Sequence, residues 1–442
     1  APMVLIQVGL MLMGVVDTLI IGHFSAQGLA AVAIGNLYFF VVAVLGQGIL
    51  MALDPIVAQA VGAEDEPAIS RGIQRGSVLA VLLAIPMSLL LLPAQALFTL
   101  ARQPVDVVPL AVRYVHWMIP STAPFFLFVV LRQSLQAMHC TRAIVWSIVG
   151  ANLVNAGLNW VLIFGHLGAP PLGVVGSAWA TSVSRWLMVI ALIVLAWHPL
   201  REYLRPFRRE AFAPRPLFRM LAIGTPIGMQ ALLEFGAFAA IALLMGHLGT
   251  TQVAGHQIAI NLASLTFMVP LGVSAAAAVL VGNAVGRGDP AAARRSAVAT
   301  LVCGAGFMSL TAGIFLLLPR LLAGFYTTDR GVLAVAAGLI PIAGVFQVFD
   351  GLQAVSGGIL RGLGDTRIPM LINVFGFWAC GMPVSIYLGF YAGLGPRGLW
   401  WGFVAGLGAV AVLLLARVRT RLRRDLSRIV VDRPPHPGAL PL

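Results

Sequence analysis

The chain has 442 residues, of which 60% are hydrophobic and only 10% charged, with a mean hydropathy of +0.95. Soluble domains are about half apolar and a quarter charged, so an ordinary water-soluble globule is excluded and the bilayer is the solvent. The net charge of +13 comes from 28 arginines and no lysine; all but a few lie in loops between apolar runs, which argues against nucleic-acid binding.

Apolar stretches broken by short polar punctuation predict twelve spans, at 2–22, 30–60, 74–97, 107–138, 143–165, 173–197, 217–246, 252–284, 296–321, 332–360, 368–391 and 398–417. Residues 1–24 have no small-residue cleavage site after their apolar run and read as a span rather than a signal peptide. Several spans contain proline, among them Pro86, Pro226, Pro270, Pro341 and Pro383, as helices do where they line a cavity or pack on neighbours. Cys140, Cys303 and Cys380 are far apart and show no metal-ligand spacing.

Arginine in alternate loops sets the orientation, because cytoplasmic loops retain positive charge. One side carries 21 arginines, including Arg71, Arg75, Arg361 and seven from Arg417 to Arg433, and the other carries five. Arg132 and Arg185 lie within spans. Both termini are therefore expected in the cytoplasm, with the Arg- and Pro-rich stretch from His198 to Arg219 as a linker at the lipid surface.

An internal repeat organises the rest. An offset of 224 residues carries Pro2 onto Pro226, Gly22-His23 onto Gly246-His247, Ala60-Val61-Gly62 onto Ala284-Val285-Gly286, Asp65 onto Asp289 and Arg71 onto Arg295. Apolar text matches by chance at Leu or Ala, not at polar and glycine positions held in one register. Six spans per unit bring both halves in from the same side, so their pseudo-twofold axis runs along the membrane normal, an architecture of transporters. The expected fold is an all-α polytopic membrane protein of about twelve transmembrane helices in two pseudo-symmetric six-helix bundles around a central cleft. The expected divisions are a first bundle at 1–200, a cytoplasmic linker at 201–217, a second bundle at 218–418 and a basic tail at 419–442.

Four acidic residues stand away from the loops: Asp17, Asp54, Glu234 and Asp350. A charge at the bilayer centre costs about 2.5–3.5 kcal/mol on insertion scales, so such groups face a bundle interior and serve ions or substrate. Asp54, beside Pro55 and near the polar Gly62-to-Pro67 loop, suits a structural role as well as one at the cytoplasmic mouth. Asp17 has no acidic echo, since Ile241 takes its place in the repeat, and Glu234 and Asp350 stand only in the second half. Asn155 and Asn159 share a helical face, where amide oxygens beside a carboxylate suit a monovalent cation or serve as hydrogen-bond glue between helices. Met229, Phe235, Phe238, Phe346 and Phe349 offer soft apolar surface and π faces for contact with a cationic substrate, or are plain packing.

The Val16-Asp17-Thr18 run ending in Ile21-Gly22-His23, the Pro55 to Gly62 run with Val57-Ala58-Gln59, Asn155 with Asn159-Trp160, Gly282 with Gly286 and Gly288, and the stretch from Gln353 through Gly357 to Arg361-Gly362 together resemble the MATE (multidrug and toxic compound extrusion) family, in its bacterial NorM-like branch. The resemblance covers roughly residues 2–418. It implies a multi-pass protein of the bacterial inner membrane that exports small organic cations and drugs by cation-coupled antiport, as a monomer, with sodium or protons as coupling ion and no other cofactor. It also implies a first-half cation-linked site at Asp17, Asn155 and Asn159 and a second-half cation-binding pair, Glu234 and Asp350. No tyrosine stands near Asp350, where Phe346 and Phe349 lie, so a phenolic ligand is missing and the choice between sodium and proton stays open. A lipid-linked saccharide flippase is the alternative, and it calls for an arginine-lined cleft. A membrane-embedded enzyme or receptor is more remote, because no His/Asp/Glu cluster or Ser/His pairing is present.

Overall fold

A computed structural model describes residues 2–424 and 426–432. Twelve helices among these residues are long and apolar enough to cross a membrane: α1 Pro2–Phe24, α2 Ala26–Gly62, α3 Glu66–Leu91, α4 Val108–Ala137, α5 Thr141–Phe164, α6 Val174–Leu195, α7 Pro214–Leu248, α8 Thr250–Gly286, α9 Pro290–Leu317, α10 Arg330–Gly362, α11 Arg367–Tyr391 and α12 Gly395–Leu422.

Two boundaries depart from the hydropathy reading for the same reason. α3 starts at Glu66 rather than 74, because Asp65 Oδ1 accepts the Ala68 amide at 3.0 Å and Pro67 sits in the first turn. α9 starts at Pro290 rather than 296, with Asp289 Oδ1 accepting the Ala292 amide at 2.8 Å. Each aspartate satisfies an orphan donor and complements the helix dipole. Arg71, Arg75, Arg294 and Arg295 therefore ride on helical turns instead of loops. The stretch 201–217 is not all linker, for a short helix covers Trp197–Leu204 and α7 begins at Pro214. Gln74 on α3 stitches this segment down, donating to Tyr203 O at 2.9 Å and Pro206 O at 3.0 Å and accepting from Arg208 N at 2.9 Å.

The repeat seen in the sequence is built into the contacts between the halves. A Cβ on Gly48 would lie 2.3 Å from Gly228 Cα, and one on Gly272 would lie 2.8 Å from Val4 Cα. The 224-residue offset maps the first pair onto the second, α2 against α7 and α8 against α1. It likewise maps Gly62, whose Cβ would lie 2.0 Å from Asn283 O, onto Gly286, whose Cβ would lie 2.1 Å from Gln59 O. Backbones this close need glycine at the crossing, which explains why those glycines recur in register.

The halves thus meet on the face that carries both ends of the described chain. That face has a further tie. After α12 the chain returns beneath the first half, where Arg428 pairs with Asp65 at 2.9 Å and Asp432 pairs with Arg71 at 2.8 Å and Arg75 at 2.7 Å. Val431 is buried there, and Ile429 N donates to Gln59 Oε1 at 2.7 Å. The expected tail at 419–442 is therefore helical to Leu422 and docked through Asp432; residues 433–442 lie outside the described residues.

Candidate functional site

In the first half, side chains from α5 and α6 meet Asp17 of α1 directly. Its side chain is 2% exposed. Asn159 Nδ2 on α5 donates to Asp17 Oδ1 at 2.6 Å, and Thr181 Oγ1 on α6 donates to Oδ2 at 2.8 Å. Asn159 Nδ2 also reaches Asn155 Oδ1 at 3.2 Å, as the i, i+4 spacing on one helical face requires. Tyr114 on α4, which donates to Asn36 Oδ1 on α2 at 3.1 Å, lies nearby, and Arg185 on α6 stands near enough for its charge to interact with Asp17. Arg185 is held over the rings of Phe39 and Phe125, 4.6 and 5.0 Å from their centroids, and donates to Ser121 Oγ at 2.8 Å.

The geometry places the Asn159 amide nitrogen against Asp17, while Asn159 Oδ1 is buried and accepts from no described residue. Both carboxylate oxygens are occupied by donors. Thr181, Tyr114 and Asn36 carry no signal in a hydropathy reading, since a lone hydroxyl or amide in a span is common helix glue; only their convergence on one carboxylate marks them.

The second half is arranged differently. Asp350 on α10 is 5% exposed and faces Glu234 on α7, close enough for the two charges to interact. Glu234 lies against Gln353, one turn along α10, whose Nε2 donates to Asn373 Oδ1 on α11 at 3.0 Å. Asp350 Oδ1 and Gln353 Oε1 are buried, and neither accepts a hydrogen bond from any described residue. Buried acceptors normally find a donor, so a cluster of oxygens without one has capacity for a cation. Gln347, one turn before Asp350 on the other side, accepts from Thr266 Oγ1 on α8.

The sequence candidates therefore fall into two separate clusters, Asp17 with Asn155 and Asn159 in one half and Glu234 with Asp350 in the other. Asp54 joins neither; its Oδ2 lies 3.6 Å from Arg361 Nε across the halves. Arg361, counted in a cytoplasmic loop by its sequence, lies in the last turn of α10. Of the candidate contact residues, Met229 is 36% exposed, and Phe235 packs on Phe40 of the first half with ring centroids 5.4 Å apart. Phe349 is half-buried. Phe238 makes an edge contact with Phe403 at 4.7 Å. Phe346 is 1% exposed, stacked on Phe403 at 5.6 Å and against Trp400 at 5.7 Å, so in this conformation it packs as core.

Comparison with known proteins agrees with the duplicated architecture. The MatE family model matches twice, at residues 2–161 and 226–387. "Multidrug resistance protein NorM" of Burkholderia vietnamiensis is 40% identical over 427 residues, spanning 94% of this chain and 91% of its own. "Probable multidrug resistance protein NorM" of Bradyrhizobium diazoefficiens is 38% identical over 430 residues, spanning 96% and 92%. The eukaryotic MATE transporter AtDTX14 superposes with a TM-score of 0.86 at 24% identity, covering 96% of this chain and 95% of that one. An outward-facing multidrug resistance MATE family transporter does so with a TM-score of 0.84 at 20% identity, covering 96% and 94%. At those identities the superpositions speak to the fold alone. On the strength of the two family matches and the full-length likeness to the bacterial relatives, the chain belongs to the MatE family of membrane transporters.

Proposed function

We propose that this protein is a monomeric antiporter of the bacterial inner membrane that exports organic cations, drugs among them, in exchange for sodium ions or protons. The observation that carries the reading is the buried cluster of Glu234, Asp350 and Gln353 deep in the second half, in which Asp350 Oδ1 and Gln353 Oε1 accept from no described residue. The names of the bacterial relatives support multidrug substrates. The arginine excess on the face bearing the termini supports placing that face in the cytoplasm.

The chemistry needs no covalent step. Burial disfavours a bare carboxylate, so the cluster is stabilised by whatever positive charge enters it: a proton, a sodium ion or a lipophilic cation. One site that accepts these ligands in competition links their fluxes. Asp17 plays a different part, for Asn159 and Thr181 already donate to its two oxygens. It acts through hydrogen bonding, with a proton as the simplest exchangeable ligand. Alternating access is rocking of the two halves about the α1/α8 and α2/α7 crossings, with the contacts at Gly62 and Gly286 formed when the cytoplasmic side is shut.

The direct test is uptake of a fluorescent organic cation by proteoliposomes under an imposed proton or sodium gradient. Accumulation against the cation's own gradient is expected with at least one of the two. No response to either would sink the antiport reading in favour of a flippase.

Asp17→Asn tests the division between the halves. An amide keeps the shape but offers an N–H₂ group where Thr181 or Asn159 needs an acceptor. Loss of one charge-assisted bond costs about 1.5–3 kcal/mol, or roughly 10- to 100-fold in an equilibrium. The variant is expected to lose at least about tenfold in transport rate while isothermal titration with sodium remains as in the wild type. Equal loss of sodium binding would show that Asp17 belongs to the same site as Asp350.

A further inference from the structure

The face where the halves meet holds a buried charged cluster that neither half completes alone. Asp54 on α2 is 9% exposed and Arg132 on α4 is 6% exposed. Arg361 on α10 approaches Asp54 with Nε 3.6 Å from Oδ2 and anchors Nη2 on Ser274 Oγ of α8 at 3.0 Å. One turn further toward the termini, Gln59 Nε2 of the first half donates to Gly362 O of the second at 2.9 Å. Asp54 is also near enough to Arg132 of its own half for the charges to interact, and Arg361 stands in the same relation to Glu234 of its own half. Arg132 Nε has no hydrogen-bond acceptor among the described residues.

A buried ion pair shared by two rigid bodies poses a problem when the bodies part. Each charge is stranded, and a stranded buried charge is far more costly than a paired one. Here each member has a counter-charge waiting in its own half. We propose that Asp54 and Arg361 are the gate that holds the terminus-bearing face shut, and that it opens by exchange of partners, Asp54 turning to Arg132 and Arg361 turning to Glu234. Such a cluster can settle in two arrangements, since each charge of the pair has one counter-charge across the halves and another within its own half. It also makes Arg361 a positioning residue shared by the gate and the second-half carboxylates, so the state of Glu234 reaches the interface through one guanidinium. The inference rests on the alternating-access reading.

The test reads conformation without substrate or gradient. Spin labels are placed at Glu64→Cys and Arg287→Cys, in the turns after α2 and α8, with Cys140, Cys303 and Cys380 replaced by Ser. Distances are measured by double electron–electron resonance in lipid nanodiscs. Asp54→Asn and Arg361→Gln should each raise the ratio of separated to closed populations about tenfold, and the double variant should raise it no further than either single one. Asp54→Glu, which keeps the charge, should stay near the wild-type ratio. Arg132→Gln should move it the opposite way, since Asp54 then has no partner when the halves part; this variant also carries the test if Asp54→Asn does not fold. An unchanged ratio in Asp54→Asn, an equal shift in Asp54→Glu, or a shift toward separation in Arg132→Gln overturns the gate. Gradient-driven transport lost altogether, with these shifts intact, counts against the antiport reading and leaves the gate standing.

Discussion

Cells carrying Glu234→Gln or Asp350→Asn are expected to lose drug efflux down to the level of cells without the protein, with the transporter still folded in the membrane. Both side chains are within spans, and Asp350 Oδ1 meets no donor among the described residues. A bare carboxylate at the bilayer centre costs about 2.5–3.5 kcal/mol, so the neutral amide removes a penalty to folding rather than adding one. It also removes the charge that draws the coupling ion. The two properties therefore separate: size-exclusion profile and thermal unfolding hold or improve, while gradient-driven transport disappears. Normal resistance to a cationic drug in cells expressing either variant would sink the assignment of the coupling site. A single variant that fails to fold would point instead to a structural role for its carboxylate, as a hydrogen-bond partner that the amide cannot replace.

Closing the inter-half crossings with a side chain is expected to be as severe for function, by another route. A Cβ at Gly62 would lie 2.0 Å from Asn283 O and one at Gly286 2.1 Å from Gln59 O, in both cases against backbone of the opposite half. Backbone cannot rotate aside, so Gly62→Val or Gly286→Val pushes the halves apart. Overpacking costs typically about 1–3 kcal/mol, enough to lower the ratio of closed to separated populations by roughly 5- to 100-fold. Transport should fall accordingly, while expression and unfolding temperature stay close to wild type because neither half's own core is touched. Gly402→Val is the contrast. Its Cβ would lie 2.1 Å from Ser385 N, with α12 against α11 inside the second half, so no domain motion relieves the clash. That variant should yield little folded protein by fluorescence-detected size exclusion. Full efflux activity in Gly62→Val would show that the crossing does not form during transport.

These two classes of residue were legible in the sequence to different degrees. The glycines were readable as a repeat, because a position that must be glycine stays glycine in both copies. The carboxylates were readable because a charge in apolar text is expensive and stands out. Arg361 was misplaced, since the hydropathy minimum at Arg361-Gly362 looks the same whether the side chain leaves for water or turns inward to an anion. The starts of α3 and α9 were misplaced likewise: arginines in a first turn lower the hydropathy, although Asp65 and Asp289 already cap those helices.

By itself the sequence determined that the protein lives in a bilayer, has twelve spans in two like halves, and keeps unpaired acids where the halves differ. Those are consequences of the solvent and of period, which are additive along the chain. The tertiary structure alone decided which groups answer those acids. Thr181 and Asn159 donate to both oxygens of Asp17 whereas Asp350 Oδ1 accepts from no described residue, Phe346 is buried in an aromatic core, and Asp54 reaches the other half to meet Arg361. Such pairings depend on how each helix is rotated and tilted against its neighbours, and side-chain packing between helices sets that rotation, which no local pattern encodes.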